Sequence, residues 1–150
     1  MVVILDGLAA GVLARFAPAN PGAADFQTAV PGGAWFGRAD EQATAPYLVF
    51  TLDEEGEPQR TTAGVMCQRW VLRTGVYTDQ GRSGHSPAAV QPAVNKCLPV
   101  TGWDAMASGR VIHCLPRAPK GTFSPKIRKG TDVFQSQGQW LLLVEGDSTP

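Results

Sequence analysis

The sequence predicts a single α+β domain: a mostly antiparallel sheet of four to five strands with two helices packed beside it. Three observations carry that expectation. Apolar residues recur at three- and four-residue steps in two segments, 3–16 and 86–98. In the other patterned segments the period falls to two, and the first two of these are separated by a turn-rich connection that suits antiparallel pairing. Finally, 150 residues with 43% hydrophobic content suffice for one real core, and the size is that of one domain.

The elements follow in chain order. In residues 3–16, Leu5, Leu8, Val12 and Phe16 make one stripe, with Ala9 and Leu13 beside it. Gly7 and Gly11 each weaken this helix by ~1 kcal/mol relative to Ala. Pro18 and Pro21 stop it. Residues 17–45 are rich in Ala, Gly and Pro and keep no period. They are expected to form a long loop with one short strand near Ala34-Trp35-Phe36-Gly37, the two aromatics anchoring it in the core or serving an interface.

Residues 47–52 read as the first firm strand, with Pro46 at its start, where a missing N–H does no harm. The acidic stretch 53–62 reads as a turn or loop, broken by Gly56 and Pro58. In 65–78, Met66, Trp70, Leu72 and Val76 share one face of a long strand, and Arg69, Arg73 and Tyr77 share the other. One face should therefore pack on helices, and the other should be wet or lie in an interface.

After a loop at 79–85, Ser86 and Pro87 look like the start of the second helix. Val90, Val94, Cys97 and Leu98 form its apolar face, Pro92 should kink it or mark its true start, and Pro99 ends it. Thr101-Gly102-Trp103 reads as a turn with an aromatic plug, 110–115 as a third strand, and 116–130 as a basic loop. Residues 132–136 and 139–145 read as a hairpin around Gln137-Gly138. The final strand is apolar on both faces and therefore central. Trp70 and Trp140 are expected in the core.

The net charge is zero, but it is unevenly placed. Residues 1–59 carry eight acids and two bases; residues 60–129 carry eleven bases and two acids. Such asymmetry can steer a protein onto nucleic acid or one subunit onto another. Six bases and no acid lie between Arg110 and Lys129, with Phe123 as the segment's aromatic. One ring supplies little base stacking, so sequence-specific nucleic-acid binding is not expected, and a non-specific contact with passing DNA stays open.

Cys67, Cys97 and Cys114 are an odd count without close spacing. A disulfide framework is not expected, which favours a reducing cytoplasm. The apolar start lacks the basic leader of a signal peptide, and Asp6 interrupts it. No apolar run approaches the ~18 residues of a membrane span.

Catalytic and metal motifs are missing: there is no G-x-S-x-G, no H-E-x-x-H, no phosphate-binding glycine loop and no C-x-x-C. His113 and Cys114 are sequence neighbours, so in a strand they point to opposite faces. No catalytic residue, cofactor or metal is therefore expected. The rival from another class is a small cytoplasmic metal-binding or thiol enzyme using Cys114 and His85.

One segment carries a family resemblance. Ala43-Thr44-Ala45-Pro46-Tyr47-Leu48-Val49-Phe50, followed by an acidic loop, the long strand containing Trp70 to Thr78, a short helix and a terminal β segment, resembles the small tail terminator (tail-completion) proteins of long-tailed bacteriophages. The resemblance implies a non-enzymatic virion protein of the tail and neck, assembled in the host cytoplasm. It implies a hexameric ring that caps the tail tube, stops its growth and joins tail to head through the tube protein and head–tail connector proteins. A different neck or connector protein is the nearest alternative.

A ring built head to tail needs two complementary surfaces on each subunit. The expected pair is an acidic patch of Asp53, Glu54, Glu55 and Glu57 and a basic patch of Arg117, Lys120, Lys126, Arg128 and Lys129, meeting across the subunit boundary or facing neighbouring tail and head proteins.

Overall fold

The computed structural model describes residues 5–40, 43, 46–56, 59–60, 66–79, 87–106, 109–117 and 132–146. Its elements are α1 (Leu5–Phe16), a 3-10 turn (Pro21–Ala23), α2 (Ala24–Ala29), β1 (Ala34–Phe36), β2 (Tyr47–Glu54), β3 (Gln59–Arg60) and β4 (Met66–Asp79). These are followed by α3 (Pro87–Cys97), β5 (Trp103–Met106), β6 (Gly109–Arg117) and β7 (Asp132–Gly146). Among the described residues the seven strands form one sheet in the order β1-β2-β4-β7-β6-β5, with β3 added to β4. Here only β1 and β2 run parallel; the other pairs are antiparallel, so the fold is α+β.

The centre of the sheet is β4 against β7, paired from Met66 opposite Gly146 to Asp79 opposite Asp132 with one register shift after Val76. Alternation then sorts the side chains into two faces. Trp70 and Leu72 on β4, Leu142 and Trp140 on β7, and Val111 and Cys114 on β6 join Leu8, Val12 and Phe16 of α1, Phe26 of α2 and Val90, Val94 and Cys97 of α3 in one buried core. The three helices therefore lie on one side of the sheet. On the other side a smaller buried cluster of Tyr47, Val49, Tyr77, Ala39 and Ala43 holds the half-buried Trp35.

Side-chain amides and one arginine hold the helical layer together. Asn20 Nδ2 donates to the Arg15 carbonyl (2.6 Å) and Asn20 Oδ1 accepts from Gly22 N–H (3.2 Å). Gln27 Nε2 donates to the Phe16 carbonyl (2.5 Å). Carbonyls left unpaired at the end of α1 are thus satisfied by the segment that follows it. The Arg15 side chain crosses to α3: Nε donates to the Cys97 carbonyl at 2.8 Å, and the guanidinium sits 5.7 Å from the ring centroid of Trp103 on β5. One cation thus caps the negative end of α3 and rests near an aromatic ring.

Several expectations are corrected. Residues 17–45 are not one loop: Asn20 caps the 3-10 turn that Pro21 begins, and α2 follows, burying Phe26 and Ala29. The short strand near Trp35 forms β1 and pairs with β2, and Phe36 packs against Phe50 with ring centroids 5.3 Å apart. The acidic stretch is partly strand, since β2 runs to Glu54 and Gln59–Arg60 form β3. Trp103 opens strand β5 rather than plugging a turn, and β6 extends past Leu115 to Arg117. The helix α3 continues through Pro92, whose ring is solvent-exposed; Ser86 lies outside the described residues.

The largest correction concerns 132–146, which is one 15-residue strand and not a hairpin. Gly138 is buried at its middle, opposite Thr74. A Cβ there would lie 2.6 Å from Cζ3 of Trp140, two residues along the same face, and closer still to its Cη2. The glycine is thus a vacancy into which the indole folds, and Gln-Gly reads as a turn only because the neighbour that fills it is not visible to a turn rule. β7 is central, between β4 and β6, as its two apolar faces predict.

Gly138→Ala should accordingly cost ~1–3 kcal/mol in chemical denaturation, the usual range for overpacking. In a Trp140→Leu background the same change should cost far less. Equal costs in both backgrounds would show that the indole does not set the glycine requirement.

Candidate interface surface

The sheet face away from the helices is built by the alternate residues of β2, β4, β7 and β6. Register places Thr51, Arg73, Gln139 and Arg117 in one row across these strands. Asp53, Val71, Leu141 and Leu115 make the next row. Beyond it, Arg69, Leu143 and His113 follow, with the Glu55 N–H bonded to the Arg69 carbonyl at 2.9 Å. A polar row, an apolar row and a mixed row thus lie side by side.

This arrangement relocates two of the expected interface residues. Arg117 Nη1 lies 3.3 Å from Glu55 Oε2 within the same chain, across the two intervening strands. Sheet twist draws together one diagonal pair of corners on each face, which lets two long side chains meet over β4 and β7. The contact is an ion pair without hydrogen-bond alignment: Glu55 Oε2 and Arg117 Nε are buried yet have no hydrogen-bond partner among the described residues. The row between them contains Val71, only 5% exposed, and Leu115, 46% exposed.

Asp53 and Glu54 are exposed at the end of β2. Glu57, Lys120, Lys126, Arg128 and Lys129 lie outside the described residues, as does His85. Among the described residues a second ion pair joins Arg110 Nε to Glu145 Oε1 (3.7 Å), and a third joins Lys96 to Asp25 on the helical side. Arg69 is exposed and Arg73 half-buried. Neither makes an ion pair among the described residues, and Arg73 Nε is buried there without a hydrogen-bond partner.

Chemistry at the thiols is poorly supported by their surroundings. Cys97 and Cys114 are fully buried in the core. Burial pushes the Cys97 thiol up to about 11 and the Cys114 thiol up to about 12, outweighing the opposite pull of Arg15 on each. Neither is a thiolate at neutral pH. His113 is exposed and does not share the Cys114 face. Among the described residues no three His, Cys, Asp or Glu side chains come together in a way that could hold a metal ion. A shallow pocket of about 200 Å³ is lined by Thr101, Gly102, Trp103, Arg110, Val111 and Ile112. It is smaller than the ~300–1,000 Å³ of usual small-molecule sites, and its lining includes no thiol, histidine or carboxylate.

Period-two alternation in the sequence puts Arg69 and Arg73 on the outer face, where they lie. It does not reveal the exposed Leu115 beside Leu141 and Leu143, because that patch exists only once β6 is known to pair with β7. Among the described residues no helix is long and apolar enough to cross a membrane. Comparison with protein-family models finds no match, and comparison with curated proteins finds none either.

Two measurements check this arrangement. With a thiol reagent at pH 8, the half-buried Cys67 should react and Cys97 and Cys114 should react only on unfolding. Because both folded pKa values lie above the ordinary 9, stability from these groups is intact below pH 9 and falls as pH rises from there toward 11–12. Fast native labelling of Cys114 would contradict the burial. Separately, a double-mutant cycle with Glu55→Gln and Arg117→Met should give a coupling of at most ~1 kcal/mol, because the pair is partly exposed. It should appear in the isolated monomer; no coupling there would refute the intrachain pair.

Proposed function

We propose that this chain is a structural virion protein of the tail-terminator type, a subunit of a hexameric ring that caps a phage tail tube and joins it to the head. The observation that carries the reading is the succession of elements around the Pro46-Tyr47 strand start: helix, strand, long antiparallel partner, short helix and terminal strands on one mostly antiparallel sheet. Chemistry supports it as well. The buried, protonated Cys97 and Cys114 favour a protein that works through its surfaces over a thiol enzyme using Cys114. In this reading the partners are further copies of the chain, the tube protein and head–tail connector proteins. The basic stretch between Arg110 and Lys129 would add a non-specific contact with passing DNA. A different neck component is the nearest alternative function.

Native mass spectrometry over a range of concentrations, with and without chelator, tests the proposal. The expected result is a metal-free sixfold species that negative-stain images show as a ring. Reversal of Lys126, Arg128 and Lys129 to Glu should abolish it while the monomer stays folded. A monomer carrying one chelatable metal ion, or a closed assembly of another stoichiometry, would overturn it.

A further inference from the structure

We infer that the part of the sheet's outer face around Leu115, Leu141 and Leu143, which no helix covers among the described residues, is a self-association surface, and that its occupant is the Glu54 edge of a second copy of this chain. The inference deepens the ring reading and rests on it for the number of copies, though not for the contact itself.

The outer face leaves both apolar surface and charge unsatisfied. All three helices lie on the opposite side, so among the described residues no helix covers the patch around Leu115, Leu141 and Leu143. Leu115, near the Arg117 end of β6, stands 46% exposed beside Leu141, where an isolated protein gains by covering it. On this face Arg117 and Arg110 already have carboxylate partners in the same chain. Arg69, beside the leucines, is exposed and has no ion pair among the described residues.

Two exposed carboxylates at the end of β2 make no ion pair among the described residues: Asp53, on the same face as Arg69, and Glu54, on the other side of the same molecule. Glu54 pairs in register with Trp70, a residue of the helix-covered face, so its exposed side chain points opposite to Arg69. Within one subunit this cation and this anion project away from each other and make no ion pair among the described residues. They meet when copies stack head to tail, the heterologous arrangement that closes into a ring or runs on as a filament. An apolar centre bordered by arginine is also the composition of a protein–protein contact, in which arginine is enriched.

The test uses two full-length variants, Arg69→Glu and Glu54→Arg, each confirmed as folded by circular dichroism and sized by sedimentation velocity. Each alone should associate at least tenfold more weakly than the parent protein, because each puts like charges at every contact. Mixed in equal amounts, they should reassemble with alternating composition. In such an assembly one contact pairs the two substituted side chains, which are of opposite charge, and the next pairs the original Arg69 with the original Glu54. Leu115→Glu should block assembly in every mixture. Single variants that assemble like the parent, or a mixture that fails to recover, would overturn this inference while leaving a ring formed by other surfaces intact. A parent protein that stays monomeric throughout would overturn this inference as well.

Discussion

The antiparallel pairing of β4 with β7 is the constraint on which the rest of the structure depends. It joins residues 66–79 to residues 132–146, far apart in sequence, and fixes which side chains face the helices. A slip of one residue between the two strands would put Trp70 and Leu72 on one face and Trp140 and Leu142 on the other, splitting the core. Trp140 occupies space that only a glycine at 138 leaves open, so the indole and the glycine keep their positions together. Outer strands add to this pair on both sides. An irregularity after Val76 and another between Val111 and His113 adjust the register where the strands would otherwise run out of alignment.

The helical layer depends on that sheet and on a small number of polar ties. Arg15 is the principal one, since its guanidinium reaches the end of α3 and the ring of Trp103 at once. Its neighbours explain the state of the buried cysteines. A cation nearby would favour thiolates, but enclosure in apolar surroundings has the larger effect, and both thiols stay protonated. Gly102 plays the complementary part on the sheet edge. It has φ +84°, and a Cβ there would fall 2.5 Å from the Ile112 carbonyl oxygen and closer still to that of Val111. The turn into β5 can therefore close against β6 only with glycine.

Much of this was legible in the sequence, for reasons that differ by element. The stripe of Leu8, Val12 and Phe16 and the alternation through Trp70 and Leu72 are local periodicities, and they predict α1, β4 and the two faces of β4 directly. The central place of β7 also follows from local information, because Leu141 and Leu143 interleave with Trp140 and Leu142. Errors arose where a residue answers to a distant or unusual neighbour. Gly138 obeys an indole, and so does not make a turn. Pro21 begins a short helical segment because Asn20 supplies the cap, whereas a proline-rich stretch suggests only loop. The expected interface charges were legible as composition, but the partner of Glu55 was not. Arg117 becomes available to it only after the sheet has twisted the two strand ends together.

The Glu55–Arg117 pair decides how the charge asymmetry of the chain should be understood. Opposite charges collected in separate segments need not signal a second molecule, because a folded sheet can bring the segments together, as this pair demonstrates. What argues for an intermolecular role is the charge that folding leaves on opposite sides of one subunit. Arg69 lies on the outer face, and Glu54 belongs to the reverse side. In the folded subunit the two side chains project from opposite faces of the sheet. Alternation along β2 and β4, the same period that builds the core, therefore also separates the two groups that a neighbouring subunit can reunite.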